Sequence, residues 1–357
     1  MSGEEFAGTM SVAAAQRFDE AALERYLSGH MPGFVAPLGQ VRQFRGGQSN
    51  PTFLLSAGDG AQYVLRRKPA GPLLPSAHAV DREFRVIGAL HRAGFPVARP
   101  LCLCEDTSVI GTMFYIMSYV AGRNFWDPAL PQMTPPQRAA IYDEMNRVLV
   151  QLHSLDYAAA GLGDYGKPGN YFARQIGRWS KQYRASETER IESFEKLLRW
   201  LPANIPPGDE TTLVHGDYRI DNMIFHADRP RVAAVVDWEL STLGHPLADL
   251  SYHVMLWRVA AGEIRGLKGL DLPALGIPTE EEYVATYCRR TGRAGIEPRV
   301  WEFCMAYNLF RIACIRQGIL RRVVDGTAAS RHAREAGERA RATADLAWQQ
   351  IEEKLGG

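Results

Sequence analysis

Apolar positions change their spacing along the chain, and the change divides it. Between residues 40 and 120 they come in short runs. "FLLSAGDGAQYVLRR" sets two such runs around a Gly-Asp-Gly turn, which predicts a β-hairpin. From Ser76 to Leu90, Val80, Phe84, Ile87 and Leu90 recur at helical spacing, and "MFYIMSYVAG" follows as a strand ending in glycine. Past Gly122 the spacing is mostly helical. "TPPQ", from Thr134 to Gln137, has the form of a capping box with prolines in the first turn. Behind it Ile141, Met145, Val148, Leu149 and Leu152 make one apolar stripe. After Ser330, Ala333, Ala336, Ala340, Ala344 and Ala347 predict a helix that packs close to a neighbour. A strand-like stretch around 212–238 interrupts the helical part. The pattern predicts an α+β chain: a lead-in over 1–30, a small antiparallel sheet-rich lobe over 31–120 and a larger, mainly helical lobe over 121–357.

Composition alters this picture little. Forty-one basic residues against forty acidic ones leave no global field to draw nucleic acid or an anionic membrane. Five cysteines without a C-x-x-C point to reduced thiols and away from a thiolate zinc site. "MSGEEFAGTM" is acidic and lacks the apolar stretch of a signal peptide, and no run reaches the roughly 18 apolar residues that span a bilayer. The expectation is a cytoplasmic protein without nucleic-acid or membrane partners.

Two polar clusters at the ends of apolar runs carry the chemistry. "HGDYRIDN" follows Leu213-Val214, and "VAAVVDWE" ends in Asp237 and Glu239. Carboxylates beside buried strands pair, bind metal or face a cleft, because burying one unpaired is costly. Phosphoryl transfer from ATP needs an Asp to orient the attacking hydroxyl, an amide and a carboxylate for Mg²⁺, and a cation with an acidic partner for the phosphates. Asn222 stands five residues after Asp217, the Asp-to-Asn interval of the H-R-D-x-x-x-x-N catalytic loop. Asp217 is therefore the candidate catalytic residue, with Asn222 and Asp237 as candidate Mg²⁺ ligands. Taken alone, Asp217 would read as a turn or cap residue; the joint spacing makes it a catalyst.

"LVHGDYRIDNMIF", "VVDWELSTLGHPLADLSYH", "GIPTEEEYVATYCRRTG" and "RIACIRQGILRR" resemble the aminoglycoside phosphotransferase/choline kinase superfamily. The resemblance runs from about residue 35 and is nearest the branch of kinase-like domains fused to acyl-CoA dehydrogenases. It implies a bilobal protein-kinase-like fold, ATP and Mg²⁺ as cofactors and a small hydroxylated molecule as substrate. It also implies the roles above for Asp217, Asn222 and Asp237. Glu239 matches an acidic position two after the metal aspartate, and Asp249 one that braces the loop by hydrogen bonding. His215 and Asp221 are assigned supporting parts.

The nucleotide side departs from the family pattern. "RGGQSNPTF" has no G-x-G-x-x-G, although Gly46, Gly47, Gln48, Ser49 and Asn50 suit a tight turn with backbone N–H groups toward phosphate. Where a lysine is usual, "YVLRRK" offers Arg66, Arg67 and Lys68. Strand alternation puts Val64, Arg66 and Lys68 on one face and Tyr63, Leu65 and Arg67 on the other; Arg66, paired with Glu83, is the candidate. Ser118 and Val120 would meet the adenine edge.

For the acceptor, Lys167, Arg174, Arg178, Lys181 and Arg184 interleave with Tyr171, Phe172, Trp179 and Tyr183, and Arg311, Arg316, Arg321 and Arg322 come later. These are either a solvated helix face or a cleft lining. A lining would disfavour polycationic aminoglycosides and favour an anionic acceptor such as a hydroxyacyl-CoA. Two other functions compete: a nucleotide-binding pseudokinase scaffold, and an antibiotic (aminoglycoside or macrolide) kinase.

Overall fold

The structure, a computed structural model, describes residues 8–45, 50–69, 78–261, 265–327 and 332–356. Gly46, Gly47, Gln48 and Ser49 lie outside the described residues. The chain forms two interleaved compact units, one of residues 1–165, 219–241 and 271–277, the other of 166–218, 242–270 and 278–357.

The first unit is built on a six-stranded antiparallel sheet. Its strands are β1 (Thr9–Met10), β2 (Val41–Phe44), β3 (Thr52–Ser56), β4 (Gln62–Arg67), β5 (Pro100–Cys104) and β6 (Phe114–Ser118), in the order β1-β2-β3-β4-β6-β5. The expected hairpin is β3–β4, with Leu54 opposite Val64. Period-two alternation puts Phe53, Leu55, Leu65, Phe114 and Ile116 on one face, where Leu23 and Leu27 of α1 (Glu20–His30) close the core. The other face of β4 carries Val64 and Arg66. The predicted helix is α2 (Val80–Arg92), which buries Val80, Glu83, Val86, Ile87 and Leu90.

Beyond the sheet, Gly122 passes against β9 (Met223–Phe225) just before β7 (Arg123–Asn124). A Cβ there would stand 2.2 Å from the Phe225 carbonyl oxygen, so only glycine fits this crossing. β7, β9 and β10 (Val232–Val235) form a three-stranded antiparallel sheet, and α3 (Pro135–His153) has the expected capping box at Thr134 and Gln137.

The second unit is mainly helical around a two-stranded ribbon, β8 (Thr212–Val214) with β11 (Thr242–Gly244). Its helices include α4 (Tyr171–Ser186), α5 (Glu192–Ala203), α6 (Pro246–Val254) and α8 (Glu280–Thr291). The short α7 (Leu272–Leu275) belongs to the first unit. The long helix α9 (Pro298–Val324) packs against α4, α6, α10 (Ala333–Glu338) and α11 (Ala340–Leu355). The alanine-rich C-terminal segment is thus two helices divided at Arg339, with Ala333, Ala340, Ala344 and Ala347 buried. No helix among the described residues is long and apolar enough to cross a membrane. All five cysteines are buried and free.

Candidate active site

In the first unit an arginine stands among three carboxyl groups. Strand alternation turns Arg66 to the face that α2 covers, and its Nε lies 2.8 Å from Glu83 Oε2. The Nε–H does not point along this contact, so it is an ion pair rather than a directed hydrogen bond. Arg66 Nη2 donates to Asp237 Oδ1 at 2.9 Å and reaches Glu239 Oε2 at 3.4 Å. Burial alone would lower the Arg66 pKa, but Glu83, Tyr115, Asp237 and Glu239 raise it above its ordinary value. Arg66 is therefore a permanent cation. Burial pushes the Glu83 carboxyl above the usual range, against the pull of Arg66. Tyr115, whose phenol burial holds well above its ordinary value, donates to Glu83 Oε2 at 3.2 Å.

Arg67 faces the other way. It packs over the Phe18 and Phe53 rings and donates to the Gln16 carbonyl at 2.9 Å, so it belongs to the core and not to this cluster. Asn50 is fully buried. Its amide donates to Glu83 Oε1 at 2.8 Å and reaches Glu239 Oε2 at 3.4 Å, while Oδ1 lies 2.9 Å from His78 Nδ1. The side chain of Asn50 thus ties the acidic groups together, a role its sequence position did not announce.

Asp237 follows β10 with φ 67° and ψ 59°, a left-handed conformation that Asp tolerates better than most residues. The next residue anchors it. The Trp238 indole is buried and donates to the Val235 carbonyl at 2.9 Å, and Ser241 Oγ donates to the Trp238 carbonyl at 2.5 Å. Asn222 is buried in the turn before β9, and its carbonyl accepts from the Val236 N–H at 2.9 Å. One backbone bond therefore links the turn of Asn222 to the residue before Asp237. Asn222, Asp237 and Glu239 all offer hard oxygen donors, which suit Mg²⁺. Among the described residues no three His, Cys, Asp or Glu side chains form a ready metal cluster. Few protein ligands completed by phosphate oxygens and water is the usual arrangement for Mg²⁺.

The second unit holds Asp217 on the loop after β8. The buried Asp249 of α6 accepts from the His215 N–H at 2.7 Å and from the Gly216 N–H at 2.8 Å. Gly216 has φ 81°, where a side chain would strain the turn. Its carbonyl accepts from Arg311 Nη2 of α9 at 2.7 Å. His215 Nδ1 accepts from the Asp217 N–H at 3.2 Å, which supports the structural part assigned to it. Three residues after Asp249, on the same face of α6, Tyr252 donates to Asp217 Oδ1 at 2.5 Å. Asn308 of α9 bonds the Ala248 carbonyl and Ser251 Oγ, fastening α6 in place. One helix therefore sets both the backbone and the carboxylate of this loop.

Asp249 is the brace that the resemblance implies, whereas Tyr252 is a residue that sequence reading does not find. Its only signal was the three-residue spacing from Asp249. Arg311 is one of the basic residues offered for the acceptor. It is buried, with its guanidinium 4.9 Å from the Tyr252 ring centroid and 5.8 Å from that of Trp179. On α4, Tyr171, Phe172, Trp179 and Tyr183 are buried whereas Arg178, Lys181 and Arg184 are exposed, Arg184 bonding Glu195. The α4 pattern is chiefly that of a solvated basic face.

Of the two residues expected at the adenine edge, Ser118 donates its N–H to the Arg99 carbonyl at 2.8 Å and Val120 is half-buried beyond the end of β6. A cavity of about 320 Å³ in the second unit is lined by Asn170, Tyr171, Phe172, His245, Glu210 and Arg293 among others; Tyr171 and Phe172 are among the residues offered for the acceptor, whereas none of the residues expected for catalysis, metal or nucleotide lines it.

Comparison with known proteins gives the family and the fold. Residues 40–311 match the phosphotransferase enzyme family. The chain is 46% identical over 342 residues to mouse (Mus musculus) acyl-CoA dehydrogenase family member 10, covering 95% of this chain and 32% of that protein. It is 44% identical over 363 residues to the probable acyl-CoA dehydrogenase IBR3 of Arabidopsis thaliana, covering 97% of this chain and 43% of that protein. The chain thus spans less than half the length of these relatives. A crystal structure of a candidate aminoglycoside phosphotransferase from Ralstonia eutropha superposes with a TM-score of 0.86 at 54% identity, covering 94% of this chain and 99% of that one. Choline kinase from Cryptosporidium parvum shares the fold with a TM-score of 0.65 at 13% identity, covering 95% and 97%. The kinase-like α+β fold expected from the sequence is shared with both.

Proposed function

Because the chain belongs to the phosphotransferase enzyme family, we propose that it is an ATP- and Mg²⁺-dependent kinase phosphorylating a hydroxyl group of a small molecule. The observation that carries this reading is the mounting of Asp217. Its Oδ1 is held by Tyr252, and the backbone on its N-terminal side is locked by Asp249 and Arg311. A carboxylate so restrained costs little reorganisation when it accepts a proton.

In the proposed reaction the acceptor oxygen attacks the γ-phosphorus while the bond to the β,γ-bridging oxygen breaks. ADP leaves, and the acceptor proton passes to Asp217. Asn222 and Asp237, with Glu239 beside them, would hold Mg²⁺, which when bound neutralises phosphate charge. Arg66, kept in place by Glu83, would steady the phosphates, together with Asn50 and the residues Gly46, Gly47, Gln48 and Ser49. Ser118 and Val120 would frame the adenine. In this reading residues 31–120 serve the nucleotide and 121–357 the acceptor.

For the acceptor we propose a hydroxyacyl-CoA or a similar anionic metabolite. The support is the kinship with proteins named as acyl-CoA dehydrogenases, of which this chain matches one portion. An ATP-consumption screen over hydroxyl-bearing metabolites tests both statements, with Asp217→Asn as the blank. Hydroxyacyl-CoAs should outcompete kanamycin-like compounds; turnover of an aminoglycoside with none of a hydroxyacyl thioester would refute the acceptor class. Asp217→Asn should lose transfer and keep nucleotide binding. Full activity in that variant would refute the mechanism, and nucleotide-dependent stabilisation without turnover of any acceptor would favour the scaffold.

A further inference from the structure

The arginine in place of lysine has a physical consequence in the first unit. Arg66 is the cation shared by Glu83, Asp237 and Glu239, with side chains 10%, 2%, 36% and 24% exposed respectively. Only a forked group makes these contacts together: Nε serves Glu83 while Nη2 serves Asp237 at 2.9 Å and Glu239 at 3.4 Å. The single nitrogen of a lysine could keep Glu83 but could not also span to the other two. Arg66 thus holds one carboxylate oxygen of Asp237, a candidate metal ligand.

We propose that Arg66 is the residue that sets the metal affinity of this enzyme, because its guanidinium and the divalent cation contend for Asp237 Oδ1 and Glu239 Oε2. The inference rests on the assignment of Asp237 as a metal ligand and deepens it. Arg66 closes the acidic cluster and neutralises part of its charge. Metal entry requires the guanidinium to release Asp237 and keep its ion pair with the buried Glu83. Nucleotide phosphates, which attract the same guanidinium, then favour metal entry by drawing Arg66 off Asp237. Arginine at this position therefore ties metal binding to nucleotide binding more tightly than lysine would. Asn50 fits this arrangement. Its amide holds Glu83 Oε1 and borders Glu239 Oε2, so Glu83 stays in place when Arg66 shifts.

The test is Mn²⁺ binding without nucleotide, read from the electron paramagnetic resonance signal of free Mn²⁺, on the full chain and on Arg66→Lys, Arg66→Met and Asp237→Ala. Removing one charge-assisted hydrogen bond that competes with the metal should tighten Mn²⁺ binding about tenfold in Arg66→Lys and Arg66→Met. Asp237→Ala should abolish the binding. Near-UV circular dichroism checks folding. Arg66→Met leaves Glu83 buried without its cation, so if it does not fold, Arg66→Lys decides alone. Folded Arg66 variants that bind Mn²⁺ no tighter than the unaltered chain overturn the inference and leave the metal assignment standing. Equal binding by Asp237→Ala and the unaltered chain overturns the metal assignment, and the inference with it.

Discussion

Replacing Asp249 should both destabilise the second unit and silence Asp217 from a distance. The side chain is 2% exposed and accepts two backbone N–H groups, from His215 at 2.7 Å and Gly216 at 2.8 Å. Each charge-assisted bond contributes about 1.5–3 kcal/mol, and alanine would leave both donors buried without a partner. Part of that loss is offset, since a buried carboxylate no longer has to be desolvated. A net cost of about 3 kcal/mol is expected for Asp249→Ala. Asparagine keeps one acceptor oxygen but turns an NH₂ toward the second N–H, so Asp249→Asn should cost about half as much. Urea unfolding followed by circular dichroism measures both. Phosphoryl transfer should fall by about a hundredfold in Asp249→Asn while nucleotide binding persists, because the backbone that aims Asp217 has lost its brace. If both variants unfolded within about 0.5 kcal/mol of the unaltered chain and turned over normally, the loop would not be held by this carboxylate.

Tyr252→Phe removes the hydrogen bond to Asp217 Oδ1 and keeps the ring against Arg311. Turnover should drop about tenfold with nucleotide affinity unchanged, and unaltered turnover would remove Tyr252 from the site. His253 gives a pH prediction. Burial lowers its pKa from 6.5 to about 4, so between these values the unfolded chain takes up the proton and the folded chain does not. The stability tied to the neutral ring is whole above pH 6.5 and is lost as pH falls toward about 4, to a total of ~3 kcal/mol. His253→Phe keeps ring packing against Tyr218, Trp257 and Tyr283 and should flatten that part of the stability-versus-pH curve; an unchanged slope refutes the assignment.

The sequence made visible what is local. Hydrophobic spacing marked helix α2, apolar runs about a Gly-Asp-Gly turn marked the β3–β4 hairpin, and Thr134 with Gln137 marked the capping box of α3, because hydrogen bonds and burial within ten or twenty residues determine them. The five-residue interval from Asp217 to Asn222, with Asp237 ending its own apolar run, was readable for the same reason. Alternation along β4 separated Arg66 from Arg67, since one face of a central strand meets the core and the other meets α2.

Beyond the brace at Asp249 and the pairing of Arg66 with Glu83, the partners of these groups were not readable, because they come from far along the chain. Tyr252 reaches the 215–217 loop from α6, Arg311 from α9, and Asn50 joins Glu83 across 33 positions and Glu239 across 189. Strand pairing also lay beyond local reading. β8 pairs with β11, whereas β9 and β10 join β7, so the apolar run before Asp217 and the one before Asp237 belong to different sheets. The basic residues of α4 read equally well as a cleft lining or a solvated face until packing turned the aromatics inward. By itself the sequence determined which residues could do the chemistry, through spacing along a continuous chain. Only the tertiary structure decided which side chains hold them, because a hydrogen bond depends on where the fold brings its two ends and not on how far apart they stand in the chain.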